Sequence, residues 1–552
     1  QMSWWMLGLS MVATTFAADT PNLVTGIVRQ NGVSGNWVWW SFLLTGLLTV
    51  FVYARLWQRS GVLTDLEFYE IRYSGQAAGF LRGFRAIYLG VVFNCLVMAN
   101  VILAGIKLGG ILLGASPLET VFVAGTVTVV YTLMGGLRGV ILTDCFQFLM
   151  AMAGAIAAAV VVCDLPEVGG FANLLTHPNV ADKLSLLPDF QDVDALIPLL
   201  IIPLAVQWWS SWYPGAEPGG GGYVAQRMLG SRSEQDATTA TLLFQVAHYA
   251  LRPWPWIIVA FASLVVFPTV DSIQQAFPQM DPAFVKDDLA YPVMLTFLPS
   301  GLLGLVIASL VAAFMSTIST HLNWGASYIA HDFFRRFLKP DASEQQLVAV
   351  GRWTTVGLMV LSGVVALNLE SAMESFQIML QIGAGTGLIY ILRWFWWRIN
   401  AFTEITGMVV SFALAVFLRT EIAARLLSDW TDWQKLTLGV FVTTASWLLV
   451  TLITPSTDRA VLKSFLQRIR PGGNGWRPIR EELAADGVEV PAGDSVTAGL
   501  QAMCAATFLV YSLLFGTGYF LYGQWGSFFG SVMVVVISAA GLLRVWPSLQ
   551  MK

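Results

Sequence analysis

Apolar residues run through this chain in blocks of about twenty, separated by short stretches where Arg, Gly and Pro gather. A block of that length crosses the ~30 Å hydrocarbon core of a bilayer as one helix. Fourteen spans are predicted, near 5–28, 36–58, 79–112, 116–134, 137–163, 193–213, 243–270, 301–335, 346–367, 371–395, 401–419, 434–454, 497–522 and 526–546. Basic residues test that count, because cytoplasmic loops carry the excess of Lys and Arg. Arg55, Arg59, Arg72, Arg82 and Arg85 follow the second span, Arg138 the fourth, and Arg227 and Arg232 the sixth. Arg335, Arg336 and Lys339 follow the eighth, Arg393 and Arg398 end the tenth, and Lys463, Arg468, Arg470, Arg477 and Arg480 follow the twelfth. The opposite loops 164–192 and 271–290 hold only Lys183 and Lys286, with Arg29, Arg425 and Lys435 as mild exceptions. The expectation is a multi-pass protein of the plasma (inner) membrane with both ends of the sequence cytoplasmic.

Three spans carry polar groups that an anchor does not need. The first contains Ala13-Thr14-Thr15-Phe16-Ala17-Ala18-Asp19-Thr20-Pro21, and proline removes a backbone donor. The sixth contains Pro198 and Pro203, then Gln207-Trp208-Trp209-Ser210-Ser211-Trp212-Tyr213-Pro214-Gly215. Breaks five spans apart suggest an inverted five-plus-five repeat with a site at the breaks. Two proline kinks that merely shape the bundle are the competing reading. In the eighth span, Ala313, Ser316 and Thr317 share a helical face at i, i+3, i+4, and Ser316, Ser319 and Thr320 repeat the spacing. Two such oxygen-bearing triplets have the spacing to hold two small cations. Hydroxyls bonded back to their own helix and packed closely are the blander account.

Composition narrows the class. Hydrophobic residues make up 56% of the 552 and charged residues 12%, as in an all-α polytopic membrane protein. The net charge of −4 is small, and no basic patch with interleaved aromatics suggests nucleic acid. Cys95, Cys145, Cys163 and Cys504 lack metal-type spacing, and His177, His248, His321 and His331 are scattered. Gln1-Met2-Ser3-Trp4-Trp5 enters the first apolar segment without a basic leader or cleavage site, so the sequence is expected to start inside a longer natural chain.

Charges at membrane depth cost about 2.5–3.5 kcal/mol on insertion scales and call for a partner or a cavity. Asp144 in the fifth span reads either as a cation ligand or as a carboxylate at a hydrated helix end. Sodium, like the hard divalent cations, takes oxygen ligands. Arg252 pairs with an acid, binds an anionic solute or snorkels to the edge; its place near the start of its predicted span favours snorkelling. Lys107 in the third span carries the same ambiguity near the opposite face.

The run Tyr131 to Gln147 (YTLMGGLRGVILTDCFQ) resembles the signature of the sodium:solute symporter family. Leu298 to Leu305 (LPSGLLGL), leading into Ala312–Thr320 and Asn323, resembles that family too. Asp65 to Tyr73 (DLEFYEIRY) and Tyr223 to Arg227 (YVAQR) are weaker matches. The resemblance implies a LeuT-like ten-helix inverted-repeat core at 1–400, with repeats near 5–163 and 193–398. Four peripheral transmembrane helices follow at 401–552, with a cytoplasmic loop at 455–496. It also implies a sodium site built from the carbonyls of Ala13, Phe16 and Ala313 and the hydroxyls of Ser316 and Thr317. Some members, a sialic acid transporter among them, hold a second sodium; the matching positions here are Asp144, Ser316, Ser319 and Thr320.

Two departures separate the chain from sugar-transporting members. Trp37-Val38-Trp39-Trp40 stands where those members place a polar pair, and Pro214 to Gly222 is longer and richer in glycine than expected.

The expected activity is alternating-access, sodium-coupled import of a small polar organic solute across the lipid bilayer. One sodium ion is expected, with a second as an extension. Thr15, Asp19, Thr20, Gln207, Trp208, Gln377 and Gln381 are the candidate solute contacts. A transporter-like solute sensor or structural membrane subunit is the alternative. The 455–496 segment is short and loop-like for a signalling domain, and no nucleophile–base pair supports an intramembrane enzyme.

Overall fold

The fold is known from a computed structural model, which describes residues 3–62, 64–210 and 217–549, and side chains throughout these except at 135–145. Helices dominate it. Among the described residues ten helices are long and apolar enough to cross a bilayer, and a bent pair makes an eleventh span. Three shorter apolar helices, Trp4–Thr14, Val193–Gln207 and Ala401–Phe417, fall in the first, sixth and eleventh predicted spans.

In chain order the first span divides into α1 (Trp4–Thr14) and α2 (Asp19–Asn31). α3 (Val33–Ser60) and α4 (Gly75–Leu113) follow. The helical run α5 (Pro117–Cys163) carries the fourth and fifth predicted spans as two apolar stretches, Pro117–Met134 and Phe146–Cys163. The two-residue gap left between the predicted spans, Gly135-Gly136, is helical backbone. The sixth span comprises α6 (Val193–Gln207) and α7 (Gly222–Leu229), with 211–216 outside the described residues. α8 (Glu234–Val266), α9 (Ser300–Leu338) and α10 (Glu344–Ala366) are long spans. α11 (Ala372–Gly383) and α12 (Gly387–Phe395) form one span bent by 42°. α13 (Ala401–Phe417), α14 (Asp432–Ile453), α15 (Val496–Leu521) and α16 (Trp525–Leu549) complete the chain.

Local chemistry explains the starts and breaks. Ser116 caps α5 through a reciprocal pair with Glu119, and Pro117 occupies the first helical position, where no donor is needed. Asn400 with Thr403 and Thr431 with Gln434 cap α13 and α14 the same way. In α6, Pro198 and Pro203 lack the amides that a regular ladder requires, and Ile197–Ile201 and Pro203–Gln207 widen into π turns. Gly387, past the α11–α12 bend, lies so close to the sixth span that an added Cβ would stand 1.5 Å from the Trp209 carbonyl oxygen.

The first span is the hub: α1 packs on α5, α8 and α9, while α2 packs on α4, α8 and α11. α13 with α14 and α15 with α16 form paired hairpins, α15 resting on α3 and on α8. The 455–496 segment is more ordered than its composition suggests. Arg459–Ile469 and Arg477–Ala485 are helices whose apolar faces, including Phe465 and Ile479, are buried. The indole of Trp476 donates to the Trp394 carbonyl over 2.8 Å and anchors the segment to α12.

Candidate functional site

Residues 15–18 interrupt the first span, and a cavity of about 120 Å³ opens beside them. Thr15, Asp19 and Thr20 line it together with Trp39, Asn100 and His248. A helix that stops in mid-membrane leaves carbonyls without amide partners, and each must find a donor. Here two of the donors are side chains from other helices. Arg252 Nη1 of α8 donates to the Thr15 carbonyl over 2.7 Å. Thr317 Oγ1 of α9 donates to the Thr14 carbonyl over 3.2 Å. Arg227 of α7 donates to Thr14 Oγ1 over 3.1 Å and to Ser10 Oγ over 3.2 Å, so the second half of the sixth span grips the first half of the first.

The interactions around His248 fix its proton. Arg252 Nη2 faces His248 Nε2 at 3.3 Å, and His248 Nδ1 faces Thr15 Oγ1 at 3.0 Å. Arginine only donates, so Nε2 accepts and Nδ1 carries the hydrogen. The Thr15 hydroxyl in turn donates to Val12 O over 2.8 Å. Snorkelling was the favoured expectation for Arg252, and the geometry overturns it. The span begins at Glu234, so Arg252 lies near its middle and is 1% exposed.

Five of the expected cation ligands lie on α1, in the break after it, or on α9. Ala13, Phe16, Ala313, Ser316 and Thr317 are all buried, and α1 lies against α9. Ser319 spends its hydroxyl on the Ser316 carbonyl at 3.0 Å, whereas Thr320 Oγ1 is buried without a hydrogen-bond partner. Asp144 falls outside the described side chains. Among the described residues no cluster of three His, Cys, Asp or Glu side chains forms a site for a tightly chelated metal.

The remaining solute candidates lie elsewhere. Gln207 donates to the Val38 carbonyl, and the Trp208 carbonyl accepts from the Thr45 hydroxyl; neither residue lines the cavity. Gln377 is exposed, and Gln381 packs against Gly439 of α14. The face of α11 toward the cavity is formed by Phe376 and Met379 instead. Sequence reasoning missed Asn100 and His248. The available signal for Asn100 was an isolated amide in an otherwise apolar third span, Cys95 to Ile106.

Ion pairs, several of them buried, stand at both ends of the bundle. On the face of loop 271–290, Arg29 of α2 pairs with Asp287 at 2.9 Å, and Lys107 of α4 pairs with Asp288 at 2.6 Å. Asp288 Oδ2 also accepts from the Ala372 amide that starts α11, at 3.0 Å. On the arginine-rich face, Arg85 grips Glu217 through contacts of 2.9 and 3.2 Å. Asp65 accepts from the Tyr328 hydroxyl and, at 2.9 Å, from the Gly222 amide that starts α7. Arg82 bridges Asp332 at 2.5 Å and Glu70 at 2.6 Å. The cavity thus lies between two polar seals, each tying a broken span to unbroken ones.

Known proteins share this architecture. The model of the sodium:solute symporter family matches residues 1–411. A sodium/glucose cotransporter of Vibrio parahaemolyticus is 23% identical over 430 residues, 76% of this chain and 78% of its own length. The sodium/sialic acid symporter NanT of Aliivibrio fischeri is 28% identical over 319 residues, 55% of this chain and 59% of its own. The solved structure of a Na⁺-coupled sialic acid symporter superposes with a TM-score of 0.60 at 19% identity, covering 83% of this chain and 91% of that one. The fold is the LeuT-like inverted-repeat core shared by such transporters. With a family match over residues 1–411 on a multi-pass helical bundle, this chain belongs to the sodium:solute symporter family and is a transporter, not an enzyme.

Proposed function

We propose that the protein imports a small polar organic solute with sodium by alternating access. The supporting observation is the junction of α1 and α9, where the Thr317 hydroxyl reaches the Thr14 carbonyl and Ser316 is buried beside it. A sodium ion placed there takes the carbonyls of Ala13, Phe16 and Ala313 and the hydroxyls of Ser316 and Thr317 as oxygen ligands. It holds α1 against α9 and so lowers the cost of ordering the solute site, a coupling of about 1–3 kcal/mol in typical linked sites. A second sodium fits the set Asp144, Ser316, Ser319 and Thr320. The unpartnered Thr320 hydroxyl supports it, and the sialic acid symporter of the same fold is described as having a novel Na⁺ site.

Midplane binding at broken helices supports a solute position in the cavity beside Thr15, Asp19 and Thr20. The excess of arginine supports a cytoplasmic position for the Arg85–Glu217 seal and an outer one for the Lys107–Asp288 seal. Opening one seal while the other holds exposes the cavity to one side at a time. Uptake into proteoliposomes of labelled sugars, amino acids, carboxylates and nucleosides, with and without an inward sodium gradient, tests the reading. Gradient-dependent accumulation is expected; uptake that ignores sodium contradicts it.

A further inference from the structure

Two side-chain oxygens lining the cavity have no hydrogen-bond partner among the described residues. Asp19 starts α2, and its Oδ2 accepts from Asn100 Nδ2 over 2.5 Å. Its Oδ1 is buried and has no hydrogen-bond partner among the described residues. Since Asn100 uses its amide N–H on Asp19, its Oδ1 is the second acceptor, buried and likewise unpartnered in a residue only 4% exposed. Both residues line the cavity. A buried polar atom left unmatched costs about 1–3 kcal/mol, and a carboxylate oxygen in a membrane interior more. The deficit has a sign: these atoms want donors, and one carries negative charge.

We propose that the transported solute bears a protonated nitrogen that docks on Asp19 and Asn100. The inference rests on the transporter reading above and names its substrate class. An ammonium supplies several N–H donors, and its bonds to a carboxylate are roughly twice as strong as neutral ones. The surrounding wall favours a cation as well. Trp39 and Tyr249 stack with ring centroids 5.7 Å apart and both line the cavity, as does Phe376. Aromatic faces attract ammonium groups through their quadrupole. The cavity of about 120 Å³ has room for an organic body as well as the charged head. Arg252 lines the same cavity and its charge reaches Asp19, but its hydrogen bonds go to the Thr15 carbonyl and His248 and leave the Asp19 Oδ1 and Asn100 Oδ1 acceptors unmatched among the described residues. Neutral polyols satisfy the two oxygens without answering the charge, and a nitrogen-free carboxylate has no N–H to offer them and adds a second negative charge beside Asp19.

The test is thermal stability of the purified full chain in saturating sodium with individual probes. The nitrogen cations are the standard amino acids, ethanolamine and putrescine; the controls are glucose, myo-inositol and succinate. At least one nitrogen cation is expected to raise the melting temperature. The ligand-dependent shift is expected to weaken about tenfold in concentration for Asp19→Asn and for Asn100→Ala. The shift caused by sodium alone persists in both variants and reports their folding. A flat response to every amine overturns the inference, as does a shift by glucose, inositol or succinate that survives Asp19→Asn. Loss of the solute-free sodium shift in Asp19→Asn also overturns it, by making Asp19 an ion ligand. A wild-type protein with no sodium shift at all contradicts the transporter reading itself.

Discussion

Arg252 donates to the carbonyl of Thr15 over 2.7 Å, from near the middle of the seventh span to the cut end of α1. The contact places a fixed positive charge where the α1 carbonyls end, the site at which a helix dipole is negative. It also commits His248 and the Thr15 hydroxyl to one hydrogen-bonded chain. Arg252→Met removes the donor and leaves the Thr15 carbonyl and His248 Nε2 without it. A loss of about 1–3 kcal/mol is expected in detergent-solubilised stability measurements. A variant as stable as the wild type would show that the break does not depend on this side chain.

Lys107 and Asp288 form a buried pair at the end of the bundle opposite the arginine cluster. Removing one partner strands a buried charge, which costs about 3–5 kcal/mol, whereas removing both costs less. Lys107→Met is expected to lower stability strongly and the double variant with Asp288→Asn to recover part of it. Equal stability of the single and double variants argues against a coupled pair. If this pair seals the outer entrance, Lys107→Met also speeds labelling of a cysteine placed at Thr20, which lines the cavity.

Gly387 is required by contact. A Cβ there meets the Trp209 carbonyl oxygen at 1.5 Å, and a backbone atom cannot swing away. Gly387→Ala therefore forces the tenth and sixth spans apart at their breaks. Overpacking of this kind costs about 1–3 kcal/mol or more, and the variant is expected to express poorly or melt early. Normal melting refutes the close approach.

Glu70, in the short helix Phe68–Arg72 between α3 and α4, gives a pH dependence. Burial raises its carboxyl, but hydrogen bonds and charge from Arg336 and Arg82 outweigh burial and hold it below the ordinary Glu value of 4.5. A folded value below the unfolded one gives stability that is complete above the unfolded pKa and lost as pH falls through the folded value. Melting curves of wild type and Glu70→Gln from about pH 6 to about pH 3 are expected to converge at the acid end. A gap between the two that stays constant across that range contradicts the assignment.

Much of the scaffold was legible because a bilayer permits so few solutions. Apolar length alone marked the spans, and Pro21, Pro198 and Pro203 marked the two that break. The wall of the cavity was not legible to the same degree. The predicted start of the seventh span fell nine residues past Glu234, because that helix opens on Glu234, Asp236 and threonines, and this put Arg252 at an edge instead of the middle. Gln377 and Gln381 looked functional as polar residues in an apolar span. Which face of α11 meets α2 depends on packing, and that face carries Phe376 and Met379. Trp208 contributes a carbonyl to Thr45, which residue type does not announce. The α1–α9 junction was foreshadowed by the Ser316–Thr317 spacing, yet only the fold brings Thr317 to the Thr14 carbonyl.

Sodium binding at that junction is the central claim, and binding of radiolabelled sodium to the purified protein tests it most directly. Saturable binding is expected for the wild type, weakened at least about tenfold, roughly 1.4 kcal/mol, by Ser316→Ala and by Thr317→Val. Choline at equal ionic strength should not compete. Sodium binding that is absent from the wild type, or unchanged in both variants, contradicts the account.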